Sequence, residues 1–81
     1  MNDSTVLDEV RGEQARARYL RDSGRFPYVA SDPDCPDVLR LAALMEEVGE
    51  VARILHDGEG DLRAELIQVA GVAASWAEAI R

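Results

Sequence analysis

Apolar positions recur at three- and four-residue intervals over three stretches of this chain, and breaks rich in Gly or Pro separate them. Between Thr5 and Asp22, Val6, Leu7, Val10, Ala17 and Leu20 fall on one stripe in a background of Glu, Arg, Ala and Leu, the pattern of an amphipathic helix. Ser4 is placed to cap its start and Gly24 to stop it by about residue 23. A second helix is expected over about 37–56, where Val38, Leu41, Ala42, Met45, Val48, Ala52 and Leu55 keep helical spacing. Leu44, Val51 and Ile54 widen that apolar face sideways, so the helix needs two neighbours rather than one. A third helix is expected over about 62–80, where Leu66, Ile67, Val69, Ala70, Val72, Ala73, Trp76, Ala77 and Ile80 leave only a narrow polar side.

The breaks decide how these helices connect. Residues 24–37 hold Gly24 and all three prolines, so they form a loop or extended arm. Phe26 and Tyr28 on that arm either bury against the helices or stay open for a ligand. The turn at 57–61, Asp-Gly-Glu-Gly-Asp, ends the second helix and lets Asp61 cap the third. So short a turn predicts an antiparallel helical hairpin. Gly49 and Gly71 sit mid-helix, where each costs about 1 kcal/mol relative to Ala; close approach of another helix is a better reason for them than a hinge. The expectation is an all-α fold, residues 1–81 forming one domain in which the N-terminal helix joins the hairpin. So much apolar face on so short a chain implies self-association, most simply a homodimer completing a four-helix-type bundle.

Composition narrows the function. A chain of 81 residues buries only about 60% of the surface its unfolded form exposes, so its core is marginal. The formal net charge of −7 argues against binding a nucleic-acid backbone, which relies on cationic neutralisation of phosphate. The second half holds most of the excess: residues 41–81 have eight acids against three arginines, whereas residues 1–40 have eight against six. No apolar run is long enough to span a membrane, and no basic start leads into an apolar stretch, so a cytosolic protein without membrane contact is expected. The single cysteine, Cys35, excludes an internal disulfide, and no partner stands at zinc-ligand spacing.

Four carboxylates define the chemically interesting surface. At about 100° per residue, Glu46, Glu47 and Glu50 point to one side of the second helix. The short turn lets Glu65, early in the third helix, come near them. Two carboxylates about 5 Å apart repel by about 3 kcal/mol at an effective dielectric near 20. The group therefore either faces water or holds a cation. Oxygen-only ligands on rigid helices suit Mg²⁺ or Mn²⁺, whereas zinc would recruit His or Cys.

The run Glu46-Glu47-Val48-Gly49-Glu50, followed by Glu65-Leu66-Ile67-Gln68, resembles the EExxE and ExxD motif pair of the MazG-like, all-α nucleoside triphosphate pyrophosphohydrolases, in particular a short branch of phage and actinobacterial type. The likeness covers Leu41 to Ile80. It implies a helical bundle whose carboxylates hold Mg²⁺ against a nucleoside triphosphate, while water attacks to release a nucleoside monophosphate and pyrophosphate. By position, Glu47, Glu50 and Glu65 would be metal ligands, and Glu46 a ligand or the catalytic group orienting water. Gln68 stands where the family has Asp; it keeps a ligand oxygen but loses a charge, which lowers cation affinity. Phosphate-binding groups that relatives carry beyond the second motif would come here from a partner subunit or from the amino-terminal half.

Other residues have two readings each. Arg53 and Arg63 could touch phosphate or make surface ion pairs with Glu46, Glu50 or Asp57. Arg16, Arg18, Arg21 and Arg25 could approach a triphosphate in a neighbouring chain's cleft or simply balance nearby acids. Arg25, Phe26 and Tyr28 are candidates for substrate contact, the two aromatics by stacking on a base. Trp76 is expected in the core, His56 at a helix end and Cys35 as a free thiol.

Overall fold

In the computed structural model, which describes residues 4–80, the described chain holds three α-helices and no strand. These are α1 (Ser4–Asp22), α2 (Asp37–Asp57) and α3 (Leu62–Ala79), within one or two residues of the expected bounds. The local stops are those the sequence announces. After α1, Gly24 adopts φ +86°, and the Arg25 N–H returns to the Leu20 carbonyl at 2.8 Å. After α2, Gly58 is left-handed and its N–H reaches the Ile54 carbonyl at 2.8 Å. Asp61 caps α3 by accepting from the Ala64 N–H at 3.0 Å, which satisfies a donor with no partner inside the helix. The cap expected from Ser4 lies outside the described side chains. No helix among the described residues is long and apolar enough to cross a membrane.

The third helix is central. It packs against both α1 and α2, whose backbones do not come close to each other among the described residues. Gly71 explains the approach of α1: a Cβ there would lie 3.1 Å from Glu13 Cγ. Gly49 differs, since a Cβ there would meet nothing within 4 Å; close approach within this chain does not account for it. Gly60 does meet a neighbour, as a Cβ would come within 2.8 Å of Ile54 Cγ1, and its φ of +122° is a glycine conformation. Arg63 ties α3 to α1 through two hydrogen bonds to Glu9, at 2.7 and 2.8 Å. It therefore pairs across helices and not with the acids of α2. The Trp76 indole N–H, near the end of α3, donates to Asp37 Oδ1 at the start of α2 at 3.1 Å.

The arm between α1 and α2 docks through charge rather than through its aromatics. Arg40, only 7% exposed, donates to the carbonyls of Ala30 and Asp32 and to the Asp37 carboxylate, each at 2.7 Å. Asp32 in turn accepts from the Val29 N–H at 2.9 Å and pairs with Arg21 of α1. Val29 and Cys35 are thereby buried, while Phe26 and Tyr28 stay exposed at 42% and 39%.

The core is thin. Val29, Cys35 and Ile54 are the buried apolar residues, and no large side chain among the described residues is fully enclosed. On α2 the buried or half-buried positions are Arg40, Ala43, Leu44, Glu47, Val51 and Ile54. The main stripe read from the sequence lies beside this face and is open: Val38, Leu41, Met45, Val48 and Leu55 are all 40% exposed or more. Within this chain α3 covers only part of the apolar arc.

Candidate acidic site and adjoining cavity

The face that α2 turns to α3 carries a carboxylate in its middle. Glu47 is half-buried there, beside the half-buried Glu65. Glu47 Oε2 and Glu65 Oε2 are both buried and meet no protein donor. The Glu47 carboxyl is pushed up to about 7, by burial first, then by its proximity to the Glu65 carboxyl and by the charges of Glu13 and Glu46.

A cavity of about 280 Å³ opens beside this pair, at the small end of the range for small-molecule sites. Glu13, Glu46, Glu47, Gln68, Gln14 and Ser75 line it together with Phe26 and Tyr28 of the arm. Glu13 of α1 belongs to this site, although its sequence surroundings read as a solvated face. The pattern Val10, Glu13, Gln14, Ala17 at helical spacing, with Gly71 admitting α1 closely, was the available signal. Arg16 also lines the cavity, paired with Glu13 at 2.6 Å. It pairs with an acid of its own chain.

The other sequence candidates are dispersed. Glu50 is exposed and bonded to Arg53 at 3.1 Å; Arg53 also reaches Asp57 at 3.6 Å. This is the surface ion pairing that was one of its two readings. Arg25 is exposed and does not line the cavity, and neither does Arg53. Trp76 is half-buried and held by Asp37, away from the cavity lining. His56 is exposed at the end of α2, and Cys35 is a buried free thiol.

As the side chains stand, no three His, Cys, Asp or Glu groups among the described residues converge on a common cation position. What α2 and α3 do bring together is a pair, with two buried oxygens that lack a donor. The donor chemistry, carboxylates with the Gln68 amide on the same cavity wall, fits a hard divalent cation. No protein-family model, no curated protein and no solved structure matches this chain.

Proposed function

We propose that this chain is a MazG-like nucleoside triphosphate pyrophosphohydrolase, dependent on Mg²⁺ or Mn²⁺, that clears nucleotides from the cytosolic pool. The observation that carries this reading is the pair of buried, donorless oxygens on Glu47 and Glu65, located where the motif resemblance expects metal ligands. No protein donor among the described residues satisfies them, and a cation would take that place. Mg²⁺ is commonly held by one or two carboxylates, with waters and substrate phosphates completing its shell. Two converging carboxylates are therefore enough to begin a site.

Glu47 and Glu65 would hold the ion, with Gln68 as a further oxygen ligand; Glu50 would have to leave Arg53 to join them. When bound, the ion supplies charge neutralisation for the triphosphate and acidifies water. Glu46, exposed and lining the cavity, is positioned to accept a proton from water attacking the α-phosphorus. The bond from that phosphorus to the bridging oxygen breaks, and pyrophosphate leaves with the electron pair. Arg16, the one cation among the described residues lining the cavity, would leave Glu13 for a phosphate oxygen.

The same reading includes an antiparallel arrangement of α2 and α3, supported by the Trp76–Asp37 bond between the end of one helix and the start of the other. It also includes a homodimer. Val38, Leu41, Met45, Val48 and Leu55 form an open stripe about 26 Å long at the helical rise, and a second copy would cover it. Nucleoside and deoxynucleoside triphosphates incubated with the protein and Mg²⁺ test the activity by the ratio of pyrophosphate to phosphate released. Pyrophosphate from at least one nucleotide is expected; none from folded protein overturns the reading.

A further inference from the structure

Besides Glu47 and its neighbours, the cavity has a buried polar pair that the proposed metal chemistry does not use. Gln14 is 7% exposed, as is Ser75. The Gln14 amide donates to Ser75 Oγ and to Glu78 Oε1, both at 3.0 Å. A carboxylate only accepts, so Glu78 fixes which end of the amide is nitrogen. Both N–H groups are then committed, and no donor among the described residues meets Gln14 Oε1. The Ser75 hydroxyl accepts from Gln14, and its own proton has no acceptor among the described residues. Both residues line the cavity. They offer it one fixed acceptor beside one free donor, in a lining that includes Ala17, Ala30, Val72, Phe26 and Tyr28.

We propose that this part of the cavity is a nucleobase subsite, in which Gln14 Oε1 accepts from the base and Ser75 Oγ donates to it. The proposal rests on the nucleotide reading of the acidic pair and names the recognition that reading lacks. A hydrogen-bonding base edge sets a ring N–H or amine beside a ring nitrogen or carbonyl, which is the complement of the Gln14–Ser75 pair. Phe26 and Tyr28 supply faces for stacking. Glu78 is a positioning residue: it touches no base but holds the amide so that oxygen rather than nitrogen serves the cavity. A site whose buried polar groups need partners rejects ligands that cannot supply them.

Neutral nucleosides without metal test this subsite apart from the acidic pair. Titrations of the four common ribonucleosides, followed by amide NMR shifts, should show binding by at least one. Methylating the donor nitrogen of the tightest binder should weaken it about tenfold or more. Gln14→Met should bring the parent nucleoside down to the level of its methylated analogue. Glu78→Ala, which frees the amide to turn over, should narrow the ratio between the two while leaving the fold intact; it carries the test should Gln14→Met fail to fold. No nucleoside binding, or an undiminished preference for the parent in these variants, overturns the subsite even if the protein hydrolyses triphosphates. Gln14-dependent nucleoside binding without pyrophosphate release upholds the subsite and overturns the hydrolase reading.

Discussion

Glu47 on α2 lies beside Glu65 on α3 inside the interface of these helices, and one oxygen of each carboxyl group is buried without a protein donor among the described residues. A thin core would gain more from an apolar pair at that place, because two like groups held together in partial burial oppose folding. Under the proposed function, a bound cation would offset that cost.

Metal should stabilise the protein through this pair. With Mg²⁺ or Mn²⁺ at about one hundred times its Kd, the gain is about 2.7 kcal/mol, read as a rise in Tm. Glu47→Gln removes one of the two charges and should abolish most of that rise. It should also melt higher than the wild type in chelator at neutral pH, because the amide places no charge beside Glu65. An equal metal shift in both proteins would place the cation elsewhere.

The pH dependence of the metal-free protein has a definite sign. Glu47 titrates at about 7 when folded, against an ordinary value of 4.5, so the native state binds the extra proton between those values. Stability from this group is fully present below about 4.5 and is lost as the pH rises towards and through 7. Melting in chelator should thus fall from pH 5 to pH 8, and Glu47→Gln should flatten that slope. A rising curve across the same window, absent in the variant, would contradict the raised Glu47 carboxyl.

Arg40 is expected to be the most sensitive charged residue outside the acidic site. Arg40→Met removes the donor that holds two arm carbonyls and Asp37. Hydrogen bonds to charged groups are worth about 1.5–3 kcal/mol each, and part-buried acceptors are left without partners. A loss of about 3 kcal/mol in chemical denaturation is expected, with faster proteolysis within residues 24–36. A loss under 1 kcal/mol would mean that the arm is held by something else.

The two glycines Gly60 and Gly49 should respond in opposite ways. Gly60→Ala places a Cβ against Ile54 in a conformation that side chains avoid, at a cost of about 2–3 kcal/mol. Gly49→Ala meets nothing in its own chain and should gain up to about 1 kcal/mol in dilute, monomeric protein. Denaturation at two concentrations separates this helix effect from any contact made across a subunit interface.

The open stripe on α2 predicts concentration-dependent assembly. Light scattering coupled to size exclusion should show a dimer that Met45→Glu converts to monomer, with helix content retained, since Met45 is 55% exposed within the chain. A wild-type monomer at high concentration would end the dimer reading.

The helices and their ends were legible in the sequence because their causes are local. Asp61 caps its own helix through a residue three places on, and Gly58 and Gly24 stop theirs by adopting positive φ. Apolar spacing marked a wide arc on α2 correctly, but spacing carries no information about which half of an arc meets a neighbour. The buried half includes Glu47 beside α3 and Arg40 under the arm, residues that a hydrophobic pattern assigns to solvent. Glu13 and Gln14 escaped notice for the same reason: among the charges of α1 they read as surface, and only the approach of α1 at Gly71 turns them inward.

The amino-acid order alone thus determined three helices, their breaks and the acids able to do chemistry, since each depends on residues within a turn or two of one another. The tertiary structure decided that Glu47 rather than Glu50 meets Glu65, that Arg40 holds the arm, and that α1 contributes a wall of the cavity. Those outcomes depend on how far each helix rotates about its axis when packed, and that rotation is set by the fit of side chains far apart in the chain.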